Sequence, residues 1–134
     1  MTCNRPAYTI DANQVRANFT WDTATGNLLS ETKGLNAAGA CTLTGGVCPV
    51  TTYVYTAFTG SDGSSLSLLT SKTEKIDASS STTTTYEYNP TNHWTVKSVV
   101  TDSGGLSLRS CFAFDPGGNL ISRTEPKAGL TVCP

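Results

Sequence analysis

The residue types in this 134-residue chain that could do chemistry are five cysteines, one histidine and ten carboxylates. Cys41 and Cys48 bracket Thr-Leu-Thr-Gly-Gly-Val, and Gly45 and Gly46 supply the turn that lets the two ends meet, which predicts a structural disulfide. A zinc site is not the reading, because Cys-x6-Cys lacks the close spacing of zinc knuckles and His93 is the sole imidazole. Cys111 either pairs with Cys133 across neighbouring strands or stays a buried thiol. Five is odd, so one thiol is left over or pairs outside the chain. So many cysteines without metal spacing point to an oxidising compartment.

His93 is the one candidate base, but no nucleophile motif accompanies it, and Asn92-His93-Trp94-Thr95 reads as a hairpin turn. Asp22 and Asp115 would be the carboxylates of a glycosidase pair, yet each lies where a turn begins, and turn capping accounts for both. No phosphate loop is present, since Gly104-Gly105 and Gly117-Gly118 read as turn glycines. The expectation is therefore a protein that is not an enzyme and takes no cofactor or metal. Trp94, with His93 beside it, is the candidate glycan contact, because exposed rings stack on the apolar face of sugars.

Ser and Thr make up 37 of 134 residues, and with 12 Gly and 6 Pro they disfavour long helices and suit strands joined by tight turns. The expected fold is all-β, an antiparallel sheet of stacked β-hairpins with little or no helix. One short pattern returns four times: two ring positions one residue apart, a polar residue, a turn, and a strand ending in Ser or Thr. The ring pairs are Phe19 and Trp21, Tyr53 and Tyr55, Tyr86 and Tyr88, and Phe112 and Phe114. Residues two apart in a strand share a face, so each pair predicts a buried aromatic face. The turns are Asp22 with Gly26-Asn27 and Asp115 with Gly118-Asn119, and a weaker echo, Tyr8-Thr9-Ile10-Asp11, precedes them. Residues 1–134 thus form a single repeat domain of about four hairpin units, near 8–35, 53–76, 86–102 and 111–133, with insertions at 36–52 and 57–66.

The run Phe112-Ala113-Phe114-Asp115-Pro116-Gly117-Gly118-Asn119-Leu120-Ile121-Ser122-Arg123-Thr124, and its counterpart from Phe19 to Thr32, resemble the YD repeat of the Rhs family. That repeat is also found in wall-associated proteins, the C component of insecticidal toxin complexes and teneurins. The resemblance covers roughly residues 8 to 133. Departures are Thr56 and Asn89 in place of Asp, and His93-Trp94 in place of Gly-Asn. The resemblance implies a sheet that winds, in full-length relatives, into a shell around a toxic C-terminal domain. It further implies a structural role for this chain, as an arc of about eight strands; the alternative, motivated by Trp94 and the hydroxyl-rich surface, is a carbohydrate-binding β module of a surface protein.

Charged residues are 14% of the chain and its net charge is -1, so no basic face exists to neutralise phosphates and nucleic acid is not an expected partner. No apolar run reaches the length of a membrane helix, and no leader pattern opens the chain. Met1, the one Met, reads as the added start of a fragment. The expected location is outside a bacterial cell or on its surface. The expected partners are neighbouring repeats of a longer parent or copies of the chain itself, with glycan as a further possibility. Two uncharged edge strands, near Tyr8 to Ile10 and Leu130 to Cys133, predict head-to-tail pairing that extends into a filament.

Overall fold

The structure is a computed structural model that describes residues 5–43, 45–60, 63–93 and 95–133. Its nine strands are β1 (Tyr8–Ile10), β2 (Arg16–Trp21), β3 (Leu28–Leu35), β4 (Val50–Thr59), β5 (Ser65–Lys75), β6 (Ser81–Tyr88), β7 (Val96–Thr101), β8 (Leu108–Phe114) and β9 (Leu120–Arg123). They lie in the sheet in chain order, each beside its predecessor, and no helix occurs among the described residues. The fold is all-β and antiparallel. Contacts divide the chain into two compact units, Met1–Tyr53 with Thr73–Ser81, and Val54–Lys72 with Thr82–Pro134.

In the first unit the hairpins are made by Asx residues. Asp22 Oδ1 accepts the amides of Ala24 and Thr25, its backbone amide bonds the Asn27 carbonyl at 2.8 Å, and Gly26 closes the turn at φ 75°. A side chain at Gly26 would also collide with the Arg5 guanidinium. Asp11 builds the β1–β2 turn in the same way, accepting from Asn13 and Val15, with Gln14 at φ 62°. Asn36 repeats the device after β3, with Gly39 at φ 88°. From there the chain returns through a Leu35–Cys41 bridge and the Cys41–Cys48 disulfide, whose Cα atoms are 5.5 Å apart. Leu35 and Cys48, each 6% exposed, are the buried positions of this unit.

The second unit runs on the same frame. Asn89 Oδ1 accepts from the Thr91 and Asn92 amides, its backbone amide bonds Thr95, and His93 takes the left-handed position at φ 55°. Asn in place of Asp and His in place of Gly therefore leave the turn intact, because an amide oxygen accepts as a carboxylate does. Asp115 closes the last hairpin through Asn119, with Gly118 at φ 83°. The region 57–66, expected as an inserted loop, instead lengthens β4 to Thr59 and starts β5 at Ser65. The turn between them is short, with Gly60 bonding Ser64 and Gly63 bonding back to Gly60.

A further regularity lies in the ladders. Thr20 pairs with Ser30 but Trp21 with Leu28; Glu87 with Ser98 but Tyr88 with Val96; Ala113 with Ser122 but Phe114 with Leu120. Each hairpin thus carries a β-bulge one residue before its serine, at Leu29, Lys97 and Ile121, and a bulge re-aims the strand locally.

The ring pairs do share faces, as with Phe19 and Trp21, whose centroids are 6.1 Å apart. The expected aromatic core is corrected in one respect: Phe19, Trp21, Tyr53, Tyr55, Tyr86, Tyr88, Phe112 and Phe114 are all half-buried rather than enclosed. With no helix to pack on them, rings take cover only from neighbouring strands and from cations such as Arg5 over Trp21 and Arg123 over Phe112.

Candidate functional site

Three of the four most enclosed positions of the second unit among the described residues, Ser98 (0% exposed), Val100 (7%) and Cys111 (6%), point to one face of β7 and β8, and the fourth, Ser110 (7%), points to the other. Alternation places Glu87 and Arg109 on the Ser98 face, since Glu87 pairs with Ser98 and Arg109 with Val100. Ser98 Oγ donates to Glu87 Oε2 at 2.5 Å, and Arg109 Nη1 donates to both, at 2.7 Å each. The Arg109 hydrogen bond holds the Glu87 carboxyl below its ordinary range, against an opposing push from partial burial. Ser98 is fully enclosed, and its hydroxyl bridges the arginine and the carboxylate.

What closes this face is the segment after β9. Thr124 and Lys127 extend the ladder along β8, Lys127 exchanging both backbone bonds with Arg109. Gly129, at φ 72°, then turns the chain. Arg109 Nε donates to the Leu130 carbonyl at 3.0 Å, and Cys133 bonds Cys111 with Cα atoms 5.6 Å apart. The open choice for Cys111 is thereby settled as a disulfide. Residues 130–133 do not form the expected edge strand, because Gly129 and the disulfide carry them off the ladder and onto the face. The edge after β8 is β9, all four of whose residues are exposed.

The remaining candidate residues sort as follows. Asp22 and Asp115 are turn residues 93 positions apart in sequence, and hydrogen bonds from Thr25 and from Asn119 respectively hold their carboxyls below the usual range. Gly26, Asn27, Gly118 and Asn119 stand in the turns assigned to them. His93 is half-buried rather than exposed, stacked on Phe58 at 4.7 Å between centroids, and its Nδ1 is buried with no hydrogen-bond partner. Trp94, the proposed glycan contact, lies outside the described residues, as does Cys3. A polar groove of about 480 Å³ opens between the turns that follow β6 and β8, with Asn89, Thr91, Lys97, Phe112, Phe114 and Asp115 in its walls. Beside it an apolar groove of about 530 Å³ is walled by Tyr86, Val96, Val99, Phe112, Phe114 and Leu120. No cluster of metal-ligating side chains occurs among the described residues.

Reading the sequence for ring pairs passed over Glu87, the middle residue of Tyr86-Glu87-Tyr88. The available signal was a charge on the opposite strand face, where the equivalent positions hold Thr20 and Ala113. Comparison with family models, with curated proteins and with solved structures returns no match.

Proposed function

We propose that the chain is a structural repeat segment of a secreted or cell-surface protein of the Rhs/YD-repeat kind, building a β-sheet wall or a self-associating fibre rather than turning over a substrate. The observation that carries this reading is the recurrence, in three hairpins, of the same composite: ring-x-ring strand, Asx turn with a left-handed residue, and bulge before serine. A lone hairpin is marginal in water, and repetition of one supersecondary unit is how such hairpins obtain cover from each other. Two disulfides suit an oxidising, extracellular setting. Exposed Leu120 and Ile121 on β9, and Tyr8 and Ile10 on β1, leave both edges apolar and open to a neighbour.

The genomic reading frame around this segment tests the family reading: a long array of like repeats is expected, and a frame of about this length with its own signal peptide would overturn it. Self-association is tested by light scattering over a wide concentration range. Species larger than a monomer should form and should be suppressed by Ile121→Lys. A strictly monomeric solution at high concentration counts against it.

A carbohydrate-binding role is the second reading, favoured by the polar groove, where donors such as Thr91 and Lys97 stand beside the rings of Phe112 and Phe114. Calorimetric titration against neutral oligosaccharides should give a ligand whose binding is lost in Trp94→Ala without loss of stability. Absence of binding across a broad glycan array sinks this reading.

A further inference from the structure

We infer that the segment 128–133 is an exchangeable strap, and that the face it covers on β6 to β8 accepts the same segment from a second copy of the chain. The argument starts from how few anchors the segment has. Beyond Lys127 they are, among the described residues, the Leu130 carbonyl on Arg109 and the Cys111–Cys133 disulfide, whose Cys133 Sγ also lies 3.7 Å from the Lys97 carbonyl, while Ala128, Gly129, Thr131 and Val132 are exposed, Val132 at 70%. Little apolar surface therefore resists its departure. The receiving groups, Arg109 and Cys111, belong to the sheet and are held by the β7–β8 ladder and by the Glu87–Ser98 cluster whether the strap is present or not. A second copy carries the same carbonyl and the same cysteine, so it satisfies both anchors identically. Gly129 already occupies a left-handed conformation, a natural hinge, and six residues reach roughly 20 Å when extended.

The covalent step is thiol–disulfide exchange catalysed by a small monothiol. Its thiolate attacks Sγ of Cys133, the less buried of the two cysteines, and Cys111 leaves as a thiolate. The Cys111 thiolate of a second copy, opened by the monothiol in the same way, then attacks Cys133 Sγ of the first, expelling the monothiol as its thiolate. Each such pair of substitutions exchanges an intrachain bond for an interchain one, with the number of disulfides and the catalyst unchanged.

The test mixes equal amounts of ordinary and nitrogen-15-labelled protein at high concentration with a catalytic amount of glutathione, then quenches with acid and digests with trypsin. Cleavage after Arg109, Arg123 and Lys127 puts Cys111 and Cys133 on separate peptides joined only by their disulfide. Pairs of mixed isotope should rise toward about half of the linked peptide as strands exchange at random between copies. Cys41 and Cys48 lie on one tryptic peptide, and it should stay a looped monomer, because their bond closes a much shorter segment. If glutathione adducts on Cys133 show that the bond opens and yet only single-isotope pairs are found, the strap does not exchange and the inference fails. If no adduct and no mixed pair form, the strap is a permanent staple, which overturns it equally.

Discussion

At the scale of single residues, the Glu87–Ser98–Arg109 cluster shows how one unusual side chain changes the chemistry of a repeated position. In the equivalent hairpins the serine faces Thr20, to which Ser30 is bonded at 2.6 Å, or Ala113. Glu87 instead brings a charge to that place, and Arg109, whose side chain is only 13% exposed, meets it. Removing one partner of such a set costs more than the bond itself, because the others keep their desolvation. Glu87→Ala should therefore lower stability by about 1–2 kcal/mol in urea unfolding, discounted because the Glu87 side chain is 50% exposed and water partly replaces it. Ser98→Ala, which leaves Glu87 and Arg109 bonded to each other, should cost less; the reverse order would mean that the cluster is held by the hydroxyl. The left-handed positions make a second comparison. Gly118 has open space around it, so Gly118→Ala isolates the backbone cost and should destabilise by about 1 kcal/mol, read as a fall in the urea midpoint at unchanged slope. His93 bears that same cost natively, and its stacking on Phe58 helps to offset it.

At the scale of elements, hairpin turns and straps carry the specificity that an enclosed core supplies in other folds. The carboxylates of Asp22, Asp77 and Asp115 all sit below their ordinary range, Asp77 at about 2, each because backbone or side-chain donors of its own turn hold the ionised form. A depressed folded pKa means the stabilisation is fully present above the unfolded value, about 3.9, and is lost as pH falls through the folded one. The urea midpoint should thus drop between about pH 4 and about pH 2. Asp77→Asn should flatten part of that drop, as the Asn89 turn already works with an uncharged oxygen. The two disulfides differ in reach, with separations of 7 and 22 residues. Loop-closure entropy assigns roughly 2.5 kcal/mol to the shorter and roughly 3.5 to the longer, so the double variant Cys111→Ala with Cys133→Ala should be the more destabilised of the two pairs in calorimetry.

Much of this level was legible from residue order. Ring-x-ring followed by Asp and Gly-Asn marks a hairpin because each residue has a local reason to be there, and the Cys41–Cys48 pair encloses its own turn. The Asn89 turn was harder to read, since His in a left-handed position has no pattern to announce it. The extra strand residues around Phe58 looked like loop because Gly and Ser dominate their neighbourhood. Of the strap, only the Cys111–Cys133 pairing was in view, as one of two readings of Cys111. Three cysteines outside the short loop leave their pairing open, and nothing local says that a chain leaving β9 will double back over Arg109.

At the scale of the whole molecule, strand count is the feature whose consequence reaches beyond the single chain. The nine strands among the described residues follow chain order, each antiparallel to the last, so β1 and β9 have the same sense in the alternation. A tenth strand of the meander beside β9 would run opposite to it. A separate copy displaced along the sheet without rotation offers β1, which has the same sense as β9 and pairs with it in parallel, the slightly weaker arrangement. Antiparallel contact between separate copies takes two forms: a twofold axis that sets β9 against β9 and is complete at two chains, or a twofold screw that sets β1 against β9 and does not close. An odd strand count thus ties extension to facing: copies that add antiparallel from β9 to β1 must present opposite faces in turn, whereas a tenth strand of the same meander keeps the faces as they are.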